Sequence, residues 1–144
     1  MNRHEAIAPL SRDHHGSLIL ARLLKKNAPL YKGLPENTKD KIEYAQQHFE
    51  SHIKKHFLQE EMILDKLKGL HEHIDKLAEE IKQEHRQLAD LFNTLHTATV
   101  PEDAMDLLGE TLEDHIRKEE RILFPLIQEH CNEEMLNGIY MLLH

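Results

Sequence analysis

The chain has few of the residues that staple, break or anchor a fold. A single cysteine, Cys131, in 144 residues excludes an intramolecular disulfide and any CxxC metal or redox motif, and fits a reducing compartment. Glycine and proline number five each, and the glycines at 16, 33, 69, 109 and 138 form neither a phosphate loop nor a dinucleotide fingerprint. The serines, at 11, 17 and 51, build no nucleophile elbow. Unbroken apolar stretches are only a few residues long, and Met1–Leu10 carries Arg3, His4 and Glu5 where a signal peptide would be apolar. A cytoplasmic protein without membrane association is therefore expected. No Lys/Arg stripe interleaved with aromatics occurs. The 26 acidic residues outnumber the 18 basic ones for a net charge of −8, which argues against nucleic acid or an anionic lipid surface as a partner.

What is abundant is Leu, Ile, Glu, Lys, Gln and, above all, His, of which there are 13 without a tag-like run. The first five residue types favour helices, so the expected class is all-α, as one domain spanning 1–144. A first helix is predicted from Ser11 as N-cap, through His14–Leu24, ending before Pro29. A loop over Pro29–Asn37 precedes a second helix that begins at Asn37 or Thr38, turns its apolar face through Ile42, Ala45, Phe49, Ile53, Ile63 and Leu67, and stops at Gly69. A third follows after a very short turn, with Ile74, Leu77, Ala78, Ile81, Leu88, Phe92 and Leu95 at helical spacing. After a break at His96–Val100, Thr99-x-x-Glu102 with Pro101 reads as a capping box. The fourth helix then presents Leu108, Leu112, Ile122, Leu123 and Leu126, with Pro125 kinking it or ending its regular part. Asn132 opens a short terminal helix through Leu143. Short connections between long amphipathic helices predict an antiparallel up-down-up-down four-helix bundle with a short C-terminal extra helix.

Two copies of His-x-x-x-Glu, His56–Glu60 and His115–Glu119, fall within these patterns. Residues four apart on a helix share a face, roughly 6 Å apart along the axis, so each pair can aim at one centre. Both pairs lie on the core stripe: His56 is three after Ile53 and Glu60 three before Ile63, while His115 is three after Leu112 and Glu119 three before Ile122. His14 and His85 occupy equivalent core phases, so the two halves of the chain each offer two histidines and a glutamate. Burying such a set with nothing to bind would cost several kcal/mol per unpaired charge, against a total domain stability of roughly 5–15 kcal/mol. A bound cation reverses that balance. Imidazole with carboxylate and no thiolate suits iron, zinc, manganese or copper better than calcium or magnesium. Two glutamates able to bridge favour a metal pair roughly 3.5–4 Å apart, and iron is preferred because carboxylate-bridged iron pairs recur in helix bundles. His52, one turn before His56, and His15 are possible additional ligands, whereas His48 continues the ridge of His52 too far from the centre. Glu61, Glu84 and Glu120 are solvated or partner a ligand's free N–H.

Taken in order, Leu10–Ser–Arg–Asp–His–His15, His56-x-x-x-Glu60-Glu61, Glu84–His85, and His115-x-x-x-Glu119-Glu120 followed by Ile122–Leu–Phe–Pro–Leu126 resemble the four helix motifs of the hemerythrin-like HHE cation-binding domains. The resemblance implies a non-haem di-iron centre bridged by Glu60 and Glu119, with His14, His56, His85 and His115 as terminal ligands. One departure matters. Oxygen-carrying hemerythrins are expected to hold a fifth histidine one turn before the third-helix ligand, and Ile81 stands there instead. Two octahedral irons held by four imidazoles, two glutamates and one oxo or hydroxo bridge keep two positions open.

Three readings remain. A di-iron protein would bind or sense oxygen or a related diatomic such as nitric oxide, as a monomer or weak homo-oligomer. An enzyme or iron-handling protein would oxidise ferrous iron, process nitric oxide or donate iron for cluster repair, the reading to which the four-histidine count leans. A structural mononuclear or zinc bundle would lose its fold, and show no redox activity, on chelation. The expectation is a binding module before an enzyme.

Overall fold

The computed structural model describes residues 2–144. Those residues are helical with loops and contain no strand, so the chain is all-α, as expected. Helix α1 spans Ala8–Leu23, α2 Thr38–His48, α3 Lys54–Lys66, α4 Glu72–Asn93, α5 Pro101–Lys118, α6 Phe124–His130 and α7 Glu133–Leu143. A π-helical turn over Phe49–Ile53 joins α2 to α3, and another over Glu119–Leu123 joins α5 to α6. The predicted second and fourth helices are thus each one continuous rod with a widened turn inside it, since Phe49, Lys54, Glu119 and Phe124 all keep right-handed helical dihedrals. Among the described residues no helix is long and apolar enough to cross a membrane.

Helix starts are where the sequence reading needs correction. The first helix begins not at Ser11 but one turn earlier: Ala6, Ile7 and Leu10 are buried in the apolar core, and Pro9 fits the first turn, which needs no N–H from it. Ser11 is inside α1, where its hydroxyl donates to Glu120 Oε2 at 2.8 Å. The Thr99–Glu102 capping box does not form either. Val100 is the N-cap of α5, without a side-chain bond, and Glu102 instead accepts from Thr38 Oγ1 at 3.2 Å. Asn37 and Asn132 do cap their helices, accepting from the backbone N–H of Asp40 and Met135, at 2.9 Å each. Gly69, at φ +87°, supplies the left-handed turn after α3, where its N–H donates to Asp75.

Pro125 does not break its rod, but the regular α-helical part gives way to a π-turn just before it, as expected. The preceding π-turn hands the Phe124 N–H back to the Glu119 carbonyl, five residues earlier, so the widened turn runs directly into the proline. The extra residue also shifts the phase of everything after it. Leu123 is 1 % exposed while Ile122, expected on the core face, is 43 % exposed. Phe124 is 1 % exposed and Leu126 only partly buried, the reverse of a straight helix, on which Leu126 would share the face of Leu112 and Phe124 would not. Helix α1 packs on α5 and α3, α4 on α3 and α5, and α7 on α3. The α1–α5 crossing is close because Gly109 has no side chain: a Cβ there would lie 2.5 Å from the Ala21 carbonyl oxygen.

The buried apolar residues form two clusters, one around Leu10, Ile63, Ile81, Leu123 and Phe124, the other around Leu20, Phe57, Leu88, Leu112 and Ile116. Along each core rod the chain passes from one cluster to the other. What lies at the crossing is polar: His14 between Leu10 and Leu20, His56 and Glu60 before Ile63, His85 between Ile81 and Leu88, and His115 and Glu119 between Leu112 and Leu123.

Candidate metal centre

The six side chains picked out by helical phase, His14, His56, Glu60, His85, His115 and Glu119, are all at most 6 % exposed. They converge as two overlapping groups: His14, His56, Glu60 and Glu119 in one, Glu60, His85, His115 and Glu119 in the other, with one donor atom from each residue within 4.8 Å of the rest of its group. Both glutamates are common to the two groups. His14 Nε2 lies 3.0 Å from Glu119 Oε1, His85 Nε2 3.1 Å from Glu60 Oε1, and His56 Nε2 3.3 Å from that same Glu60 oxygen. His15 and His52 are exposed and belong to neither group, so the structure does not bring these two possible additional ligands to the layer. Tyr44 stacks on His48, away from it.

Each imidazole has a carboxylate on its outer side. Asp13 lies 3.1 Å from His56 Nδ1, Glu61 2.8 Å from His85 Nδ1, Glu84 2.7 Å from His115 Nδ1, and Glu120 3.5 Å from His14 Nδ1. For His56, His85 and His115 an Nδ1–H donating outward fixes the tautomer and leaves the Nε2 lone pair facing inward, whereas Glu120 faces His14 Nδ1 without a hydrogen bond. Glu61, Glu84 and Glu120 are where the residues following or preceding a core position would be, and their partner role was one of two open from sequence. The partner role of Asp13 was missed, although Asp13 stands inside the first-helix motif Leu10–Ser–Arg–Asp–His–His15. Also missed were the rings that hold the imidazole planes. Phe57 stacks on His85 at 3.9 Å and 10° and meets His115 edge-on, while Phe124 stacks on His14 at 5.5 Å and 4°.

The electrostatics follow from this crowding. Burial opposes protonation of His56 and His115, but Glu60 with Asp13 and Glu119 with Glu84 outweigh it, raising the two to about 11 and about 10. His14 is raised in the same way by Glu119 and Glu120 against burial. Glu119, although fully buried, is held well below the usual carboxylate range by His115, Glu60 and His14. The hydrogen bond from His56 holds Asp13 low, against its partial burial.

The donor set fits a transition-metal cation. Among the described residues, Glu60 Oε2 and Glu119 Oε2 are buried without a hydrogen-bond partner, a cost of about 1–3 kcal/mol for each neutral equivalent and more for a charged oxygen. His14 Nε2 and His56 Nε2 face each other at 3.1 Å, a distance that two imidazole nitrogens keep only with a proton or a metal cation between them. Nitrogen and carboxylate donors without sulfur match iron, manganese or zinc. A family model described as the Hemerythrin HHE cation binding domain matches residues 5–133. No curated protein and no solved structure matches the chain.

Proposed function

The chain belongs to the hemerythrin HHE cation-binding domain family, and from that premise we propose that it is a non-haem di-iron protein that binds or senses oxygen or a related diatomic such as nitric oxide. The observation that carries the reading is the sharing of Glu60 and Glu119 between two donor groups. One shared carboxylate would serve a single ion with a neighbour. Two, flanked by two imidazoles on either side, suit a pair of ions bridged by both glutamates. His14 and His56 would hold one ion and His85 and His115 the other, within an up-down-up-down arrangement of the four rods. Iron there would supply a redox-active Lewis acid to which a diatomic binds.

The protein's own part is positioning and exclusion. Asp13, Glu61 and Glu84 keep the Nε2 lone pairs of His56, His85 and His115 aimed inward, and Phe57 and Phe124 fix two ring planes. Phe49, Ile81 and Leu112, all at most 2 % exposed, belong to the apolar clusters that keep bulk water from the layer. Such a site suits a small uncharged ligand.

Elemental analysis of untagged protein grown with iron tests the reading: close to two irons per chain is expected, and one metal, or mainly zinc, overturns the bridging assignment. Stopped-flow mixing of the reduced protein with oxygen then separates reversible binding, in which the adduct purges away, from consumption. A second reading, an iron-handling or redox enzyme, draws support from Ile81. This fully buried apolar side chain stands where a fifth imidazole would come from α4, and with His15 and His52 exposed the four-imidazole count leaves coordination positions open. Multiple-turnover oxidation of added ferrous iron, or iron transfer to an acceptor, would favour it.

A further inference from the structure

The exposed His52 lies at the mouth of a cleft of about 500 Å³ between α1 and the α2–α3 rod, lined by Asp13, Gly16, His48, His52 and His56 among others. His48 and His52 are four residues apart across the π-turn, with ring centroids 5.0 Å apart and planes tilted by 46°. Tyr44 stacks on the far side of His48 at 14° and braces it. His48 is half-buried, and both that burial and the facing His52 press it toward the neutral form, the form that ligates a metal.

Opposite His48, α1 presents Gly16, which has no side chain. A Cβ on Gly16 would lie 3.6 Å from His48 Cε1 and 3.9 Å from Nε2, an ordinary contact, so alanine would fit. Mid-helix glycine is about 0.5–1 kcal/mol worse than alanine, and at Gly16 what it provides is open volume beside an imidazole nitrogen. The same cleft is lined by the half-exposed carboxylate of Asp13, which is bonded to His56. The cleft therefore brings together two imidazoles, a gap and a carboxylate that touches the buried layer through His56.

We propose that His48 and His52 form an outer docking site for a divalent transition-metal cation, which loads the buried centre, with Asp13 as the next donor on the way in. The inference rests on the reading of the buried layer as a metal centre. Arg12 and Lys55 also line the cleft, so general negative charge does not draw the ion. Selection falls to the imidazoles, which take transition metals over calcium or magnesium. A helical i, i+4 histidine pair chelates one ion from one side, and the space left by Gly16 accommodates the water that completes its shell.

The test uses the metal-free full chain titrated with Co²⁺, following visible absorption and the paramagnetic shifts of histidine resonances. Resonances of His48 and His52 are expected to shift with an ion additional to those of the buried centre. H48A/H52A should lose that ion and fill the buried centre roughly tenfold more slowly, because the local supply of cation is gone, yet reach the same final content. Gly16→Val, which retains both histidines but occupies the gap, should reproduce the loss, its helical content being checked by circular dichroism. No shift at His48 and His52, or the same ion count in H48A/H52A, overturns the site. Filling at the wild-type rate overturns its loading role. H56L/H115L keeps the two tests apart: it should abolish the buried ions while the His48 and His52 shifts persist, so failure of the buried centre is read independently.

Discussion

At Asp13 a half-exposed carboxylate holds the outer nitrogen of a buried imidazole at 3.1 Å, and the inner nitrogen takes its direction from that bond. Asp13→Asn removes the charge and leaves the shape. Partners of this kind are worth about 10–100-fold in metal affinity, and a fall of that size is expected in competition with a chromogenic chelator, with the helical content unchanged. A second expectation concerns pH. In the metal-free protein, His56 and His115 are raised from 6.5 to about 11 and about 10. Their stabilisation is complete below 6.5 and lost as pH climbs through the raised values. Glu119, held well below 4.5, stabilises above 4.5 and ceases to as pH falls through its lowered value. The metal-free chain should therefore be most stable between 4.5 and 6.5 and weaken steadily toward alkaline pH. Urea unfolding of chelated protein at mildly acidic and alkaline pH reads this; no loss on the alkaline side would sink it. The metal-loaded form should behave oppositely on the acid side, where protons displace the cation. All six residues of the layer were legible because each stood where a core helix wants leucine. Asp13 was not, since its partner is on a different helix and periodicity reports only which face a residue shares with its own.

Among the elements, the two π-turns decide what periodicity can and cannot report. Over α4, with no interruption, the spacing of Ile74, Leu77, Ile81, Leu88 and Phe92 gives the buried face correctly. Over the fourth rod it fails after Glu119, because one inserted residue rotates the following helix by about 100°. Phe124, outward on a straight helix, turns inward, and Leu126, inward on one, is only partly buried. Phe124→Ala is accordingly expected to cost about 3–5 kcal/mol, as a buried phenylalanine does, and Leu126→Ala less than about 2 kcal/mol. Chemical denaturation of the two variants separates the π-turn from a straight helix, which would order them the other way. Helix starts were illegible for a related reason: Ser11 and Thr99 carry capping side chains, but the burial of Ile7 and the proline-ready first turns at Pro9 and Pro101 set the ends instead. Both π-turns adjoin the donors, one starting at Glu119 and the other ending three residues before His56.

For the molecule as a whole, the polar layer divides the interior into two apolar clusters. Binding that favours the folded state adds stability in proportion to the logarithm of metal concentration over its dissociation constant, and in a chain of this size about 1 kcal/mol shifts the melting temperature by roughly 2–4 °C. Chelation is expected to lower that temperature by about 10 °C or more while far-ultraviolet circular dichroism stays helical, because each cluster retains its own packing. Scanning calorimetry with and without chelator checks it, and an unchanged melting temperature would remove the centre's structural role. The division has a consequence for how the sequence can vary. Side chains in one cluster rarely touch those in the other, so substitutions on opposite sides of the layer add in their effects, while those on the same side couple. Each half can then drift as its own packing problem, and the only positions answerable to both are the few that meet in the layer.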